Sequence, residues 1–242
     1  MVAEAFGTLA ELYPGRIDLG LGRAPGTDGP TMRALRRNRV ETEEDFPRDV
    51  QELQRLLAPA QAGQPIVAVP GAGTNVPIWL LGSSLFSAQL AAYLGLPYAF
   101  ASHFAPRMLH QALAIYRQTF KPSAALAKPY AIVGVPVIAA PTDAEAQFLA
   151  SSTYQRVLDI LTGNRTRLQP PVEGFMEQVS ERERAAIADF LAVGIIGGPQ
   201  TVRAGLQALA QATQADEFML VSDVFDADLR LRSLQLTAQA MV

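Results

Sequence analysis

The chain has 242 residues, 49% of them hydrophobic, and a formal net charge of -3 at pH 7. It is long enough to bury the core of one domain of α/β-barrel size. No long basic run is present, which disfavours nucleic acid as a partner, and no apolar run reaches the roughly 18 residues of a membrane span. The chain lacks cysteine, which excludes disulfides and a thiol nucleophile and favours a cytoplasmic location.

The first half of the chain alternates predicted helices and strands. Apolar residues at helical spacing indicate helices, and short apolar or alternating runs indicate strands. In chain order we predict a helix over 2–13, a strand over 16–22, a helix near 45–58, a short extra strand over 66–69, a strand over 77–81, a helix over 85–94 and a strand over 98–101. Pro14 and Gly15 end the first helix, and Gly95 ends the helix over 85–94.

The second half continues the same alternation. We predict a helix over 107–119, a strand over 130–139, a helix from Thr142 to about 161, an irregular excursion over 162–179, helices over 181–193 and 200–212, a strand over 217–221 and a helix over 229–240. Thr142 provides a capping residue, and Ser180 with Glu183 forms a capping-box pattern.

This alternation predicts right-handed βαβ units and a parallel sheet within a single domain over residues 1–242. Five principal strands are visible, whereas a closed (β/α)8 barrel needs about eight. The pattern therefore fits either an open sheet of five strands or a barrel without its first three βα units. Periodicity alone does not choose between them.

The most informative segment is the end of the strand over 16–22. Gly20 and Gly22 leave one face of this strand without side chains, so that a ligand could approach the backbone closely. Arg23 follows at the carboxyl end, where parallel α/β folds bind ligands, and a guanidinium suits phosphate oxygens. A packed strand with a surface arginine is the alternative interpretation.

A second group of polar residues follows the strand over 77–81. Gly82 and Ser83 lead into a helix whose N-terminal N–H groups favour an anion. Ser84 and Ser87 are three positions apart, so both hydroxyls could face the same anion. Together with Arg23 and a further arginine, Arg33, they predict a phosphate site, although one serine could simply cap the helix and the other lie on its surface.

Other common chemistries are less well supported. His103 follows a strand and is the better of two histidines for a catalytic role, whereas His110 lies within a predicted helix. No carboxylate lies beside this pair in the sequence, which disfavours a metal site. The chain also contains neither Gly-x-Ser-x-Gly nor Gly-x-Gly-x-x-Gly, which disfavours a serine hydrolase and a Rossmann nucleotide site.

Several segments, taken in combination, resemble the bacterial luciferase-like flavin monooxygenases. They are residues 6–9, 13–28, 33–37, 77–84, 87–88, 98–104 and 216–219. The resemblance implies a (β/α)8 barrel, commonly a homodimer, that uses reduced FMN to activate dioxygen and oxidise a small organic substrate. It also implies that a separate flavin reductase supplies the reduced flavin. In some branches the deazaflavin F420 takes this role, and we favour FMN here.

The resemblance also assigns residues to the flavin. It places the phosphate-binding arginine of the family on Arg23, with a second arginine on Arg33. It places the hydroxyl pair that follows the fifth barrel strand on Ser84 and Ser87. Gly22 would then lie beside the flavin ring.

Family members carry three more βα units before the helix that opens this chain. The resemblance therefore implies a barrel that lacks its first three units. Met1 could be an internal start, the protein could be a shortened relative, or a partner could cover the opening. The expected function is an FMN-dependent monooxygenase, and the alternative is a catalytically inactive flavin-binding or oligomeric remnant.

Overall fold

The computed structural model describes residues 1–23, 31, 34, 45–164 and 166–241. Contacts between residues divide the chain into two compact units. Unit 1 comprises Met1–Ala99 and Ala114–Tyr130, and unit 2 comprises Phe100–Leu113 and Ala131–Val242.

Unit 1 is built around parallel strands. In chain order it contains α1 (Val2–Leu12), β1 (Leu19–Gly22), α2 (Phe46–Leu57), β2 (Ile78–Gly82), α3 (Leu85–Leu94) and the start of β3 (Tyr98–Phe100). Leu19 pairs with Ile78 and Gly22 pairs with Leu81 in a parallel register. The carboxyl ends of β1 and β2 therefore meet at the same edge, and the segments that follow them become neighbours.

The core of unit 1 lies where helices cover this sheet. Ala88, Ala91 and Ala92 of α3 are completely buried, since small side chains allow a helix to pack closely against strands. Tyr98 and Tyr116 are also fully buried, and the Tyr116 hydroxyl donates to the backbone oxygen of Leu96 at 2.9 Å. The core thus holds the edge formed by β1 and β2 in a fixed position.

Unit 2 also has parallel strands joined by helices. After a 3-10 turn (Pro106–Met108) and the first residues of α4 (Leu109–Thr119) come β4 (Ala131–Ala139), α5 (Asp143–Thr162), α6 (Phe175–Gln178), α7 (Glu181–Phe190), β5 (Ile195–Gly197), α8 (Pro199–Thr213), β6 (Glu217–Val221) and α9 (Ala227–Ala240). β4 is the central strand, since it pairs in parallel with β6 over residues 132–136 and with β5 over residues 137–139.

Helix α5 provides one side of the core of unit 2. Its buried residues pack with the end of β4 and with α7, and the cluster consists of Ile138, Ala140, Ala146, Leu149, Ala150, Tyr154, Val157, Ile187 and Val224. The helix starts as predicted, because the Thr142 hydroxyl accepts a hydrogen bond from the Glu145 N–H at 3.2 Å. Ser180 and Glu183 form the predicted capping box of α7.

The α/β class with parallel strands is confirmed, and several element boundaries differ from the prediction. β1 begins only at Leu19. The extra strand over 66–69 is wrong: Ile66 and Val69 are 62% and 74% exposed, and no described strand pairs with them. Conversely, β5 was missed, because three residues are too few to show a period. A short helix, α6, lies within the predicted excursion over 162–179.

Among the helices of the described residues, none combines the length and the apolar character that crossing a bilayer requires.

Candidate functional site

The carboxyl end of β1 is open above its last glycine. Gly22 is exposed, and among the described residues a Cβ added to it would meet only Leu81, at 3.8 Å and beyond. A flat ligand could therefore lie against the backbone here, where any larger residue would project into the same space.

Arg23 leaves this strand toward the start of α3. Its Cζ lies 4.6 Å from the centroid of the Phe86 ring, and Phe86 is the second residue of that helix. The N-terminus of a helix carries a partial positive charge, and the guanidinium beside it carries a full one. Both features attract an anion to the same place.

The residue that caps α3 leaves its hydroxyl uncommitted. Ser84 has the extended conformation of an N-cap, with φ -129° and ψ 164°, but its side chain makes no capping hydrogen bond within the described structure. The N–H groups of the first helical turn have no intrahelical partners. Ser84 Oγ and these N–H groups are therefore a set of donors at the start of α3, and half-buried Ser83 precedes them.

Ser87 serves the internal structure of this turn. Its hydroxyl donates to Ser84 O at 2.8 Å and lies 3.1 Å from Tyr98 Oη. A side chain on Gly82 would overlap the Ser87 hydroxyl, so glycine is required there. Burial raises the pKa of Tyr98 to about 12, only partly offset by the Ser87 hydrogen bond. The neutral phenol and Ser87 thus fix the shape of the turn that carries Ser84.

His103 belongs to unit 2 and has different surroundings. Its neighbour Ser102 is buried and donates to Gly134 O at 2.5 Å, which anchors the loop on β4. The imidazole Nδ1 is buried and has no hydrogen-bond partner in the described structure. Burial lowers the pKa of His103; Asp223 opposes this shift and Arg156 adds to it. Asp223 and Arg156 form an ion pair of 2.7 Å.

The structure brings most of the predicted site residues together. Those at the carboxyl edge of β1 and β2 in unit 1 are Gly22, Arg23, Gly82, Ser83, Ser84 and Ser87. His103 lies in unit 2, and Arg33 lies outside the described residues. The sequence prediction missed Phe86, Tyr98, Gly134, Arg156 and Asp223. Of these only Gly134 gave a usable signal, as a glycine within an otherwise aliphatic strand.

The sequence profile of the luciferase-like monooxygenases matches residues 1–216 of the chain. The chain belongs to this family. Two relatives show how much of the family's length it represents. It is 51% identical over 239 residues to the uncharacterized protein YvbT of Bacillus subtilis. This alignment covers 98% of the present chain and 71% of YvbT. It is 49% identical to a luciferase-like monooxygenase of Escherichia coli K12, covering 98% of this chain and 70% of that protein.

Solved structures share the fold of this chain. The crystal structure of apo-MsnO8 matches with a TM-score of 0.83 and 35% identity, over 99% of this chain and 72% of that chain. The FMN complex of the oxygenating constituent of 3,6-diketocamphane monooxygenase from Pseudomonas putida has a TM-score of 0.62 at 17% identity, covering 100% and 75% of the two chains. The structure of an F420-dependent secondary alcohol dehydrogenase with an F420–acetone adduct matches with a TM-score of 0.64 at 16% identity. The match covers 100% of this chain and 74% of that chain.

These comparisons confirm the predicted family and its α/β-barrel fold class. The two structures below 25% identity carry information on the fold alone. One of these two structures contains FMN and the other an F420 adduct. The chain accounts for about seven-tenths of the length of the relatives it matches.

Proposed function

We propose that this luciferase-like protein is an FMN-dependent monooxygenase that oxidises a small organic substrate with dioxygen. The observation that carries the proposal is the position of Arg23 beside the first turn of α3. A cation, a helix N-terminus and an uncommitted Ser84 hydroxyl there match the charge and the acceptor oxygens of a phosphate monoester.

The residues present fit FMN at both ends of the molecule. Arg23, the Ser84 hydroxyl and the first N–H groups of α3 would hold the phosphate, with Ser83 beside them. The open backbone at Gly22 would accept the edge of the flavin ring, since in the part of the chain that the structure describes only Leu81 comes within 4 Å of a Cβ added there. FMN supplies the dioxygen-activating chemistry when bound, and this chain binds and orients it.

Ser87 has a supporting role in this proposal. Its hydroxyl already donates to Ser84 O, so it holds the Ser84 backbone in position for the phosphate. Arg33 remains a second candidate for the phosphate from the sequence. We retain the homodimer, the separate flavin reductase and the cytoplasmic location as proposals drawn from the family.

Stopped-flow reoxidation of reduced FMN by dioxygen tests the proposal. We expect the protein to change the reoxidation rate in a saturable manner, and we expect Arg23→Ala to remove this effect. Arg16→Ala is the matched control, because the Arg16 guanidinium also lies over an aromatic ring, that of Tyr13, at 5.8 Å.

Two outcomes oppose the proposal. A reoxidation trace identical to that of free reduced FMN, at every protein concentration, contradicts the enzyme. Saturable binding of oxidised FMN together with that same unchanged trace would favour the alternative, a catalytically inactive flavin-binding remnant.

A further inference from the structure

In unit 2, the geometry points to His103 as a neutral hydrogen-bond donor that holds an uncharged acceptor oxygen of the substrate through its Nε2–H. This inference deepens the proposed function, because it names a substrate-binding residue and the chemical class that this residue recognises. It rests on the proposed function only in taking the ligand to be the substrate of that reaction.

The imidazole is positioned by two residues. Ser102, fully buried, donates its hydroxyl to Gly134 O at 2.5 Å and so fixes the loop that carries His103 on β4. A Cβ on Gly134 would lie 2.6 Å from His103 Nδ1 and 3.1 Å from its Cε1. The ring therefore occupies the space that a side chain at position 134 would fill.

This contact decides which ring nitrogen carries the proton. Nδ1 is buried without a partner in the described structure. A proton there would be a buried donor with no acceptor, which is among the least tolerated arrangements in proteins. A bare Nδ1 instead faces the Cα–H group of Gly134, a weak but favourable contact. The neutral ring then carries its proton on Nε2, at the accessible edge of a half-buried side chain.

Burial favours the neutral ring, and the two charged residues nearby act on it in opposite directions. Asp223, after β6, favours the imidazolium form, whereas Arg156, on α5, and burial of the ring favour the neutral form. Asp223 and Arg156 neutralise each other through their 2.7 Å ion pair, and Phe104 packs its ring 4.1 Å from the imidazole centroid. A neutral donor suits a carbonyl, ether or sulfoxide oxygen better than a carboxylate.

Further polar groups near this ion pair have no partner in the described structure. Ser222 directly precedes Asp223, and Ser152 lies one helical turn before Arg156; both hydroxyl oxygens are buried and unpaired. Buried hydroxyls without partners are destabilising, and a polar ligand would supply the missing hydrogen bonds. These hydroxyls are unused hydrogen-bonding groups on the segments that carry Asp223 and Arg156.

A long-range ¹H–¹⁵N spectrum of the full chain tests the protonation state without any flavin. The chain has two histidines, and a His110→Gln variant identifies the His103 signals. We expect a neutral His103 with its proton on Nε2 at neutral pH. A proton on Nδ1, or an imidazolium ring, would overturn the inference, and neither result would bear on the phosphate site.

Titration with N,N-dimethylacetamide, whose carbonyl only accepts hydrogen bonds, tests recognition. We expect a saturable shift of the His103 Nε2 signal and none for His110. His103→Phe should lower the affinity about tenfold, the effect of one lost hydrogen bond, and His103→Gln should restore part of it. Equal shifts of both histidines would overturn the inference.

Two positioning variants complete the experiment. Gly134→Ala should displace the ring and lower the dimethylacetamide affinity to that of His103→Phe. Ser102→Ala removes only the anchor on Gly134 O and should weaken affinity by a smaller factor, which keeps the test usable if the Gly134 variant does not fold. Unchanged affinity in Ser102→Ala together with an unchanged His103 spectrum would contradict the positioning role.

Discussion

The guanidinium of Arg23 lies 4.6 Å from the centre of the Phe86 ring, so a full positive charge sits beside the first turn of α3. Stacking on the ring holds the side chain in place, while the helix N-terminus repels it. An anion bound at this place would interact favourably with both the guanidinium and the helix N-terminus. In the function proposed above, this anion is the phosphate of FMN.

Replacing Arg23 by alanine should weaken FMN binding by about 1.5 to 3 kcal/mol, the range for a hydrogen bond to a charged group. Arg23→Lys should give an intermediate loss, because it keeps the charge but not the planar fork. Isothermal titration calorimetry measures the FMN affinity of both variants. Arg16→Ala should leave the affinity unchanged, and an equal loss in that control would remove Arg23 from the site.

A Gly22→Ala substitution separates ligand binding from folding. Against the residues with described positions, the added methyl group would make only ordinary contacts with Leu81, at 3.8 Å or more, so we expect an unchanged thermal midpoint. The same methyl group would occupy the space assigned to the flavin ring, and FMN and riboflavin should both bind more weakly. Gly198→Ala, where an added Cβ would also meet ordinary contacts of 3.5 Å or more, is the matched control. Full flavin affinity in Gly22→Ala would exclude the ring from this edge.

Removal of the Ser84 hydroxyl and removal of the Ser87 hydroxyl should affect different properties, the first FMN affinity and the second stability. Ser87→Ala removes a 2.8 Å hydrogen bond to Ser84 O and leaves Tyr98 Oη without its Ser87 contact. It should therefore lower the free energy of unfolding by about 1 kcal/mol. Ser84→Ala removes no capping bond, so stability should change little while FMN affinity falls. Urea unfolding and flavin titration of both variants measure the two effects, and a stability loss confined to Ser84→Ala would reverse the assignment.

The start of α5 predicts an acid-sensitive contribution to stability. The Asp143 carboxylate accepts a hydrogen bond from the Gly198 N–H at 2.6 Å, and this bond, with a second from Thr201, holds the pKa of Asp143 below its usual 3.8. A lowered folded-state pKa stabilises the protein above the unfolded value, and the stabilisation disappears as the pH falls through the folded value.

The contribution of the Asp143 charge to stability is tested by comparing the thermal unfolding of Asp143→Asn with that of the parent protein at several pH values. The parent should have the higher midpoint at about pH 6, and the difference should shrink as the pH falls below the usual value of 3.8 and through the lower folded-state pKa, because Asp143 then becomes protonated. Glu145→Gln, in the same helical turn, is the control. A midpoint difference that stays constant over this range would contradict the role of the Asp143 charge.

Local signals in the sequence were sufficient for much of the fold. The capping box at Ser180 and Glu183 is formed as predicted, and Gly95 ends α3 with φ +63°. Both features depend on residues within four positions of one another. The strand predicted over 66–69 failed because β-branched residues were present without a partner strand, and β5, over 195–197, was missed because pairing with β4 rather than its own pattern defines it.

In the candidate site, too, contacts between residues distant in the sequence could not be predicted. Gly22 ends β1, Arg23 follows it, and Ser84 follows the adjacent parallel strand β2, so their proximity could be inferred from topology. The inward role of Ser87 could not, because it depends on Tyr98, eleven positions away, meeting its hydroxyl in the core. The close contact of His103 with Gly134 likewise depends on the packing of a loop against a strand, which no local pattern encodes.

The most direct test of the account is a fluorescence titration of the 242-residue chain with FMN, repeated with riboflavin, which lacks the phosphate. The account predicts saturable binding of FMN, at least tenfold tighter than that of riboflavin, because the charged hydrogen bonds at Arg23 and the start of α3 act on the phosphate alone. Equal affinity for the two flavins, or no saturable binding of FMN, would contradict it.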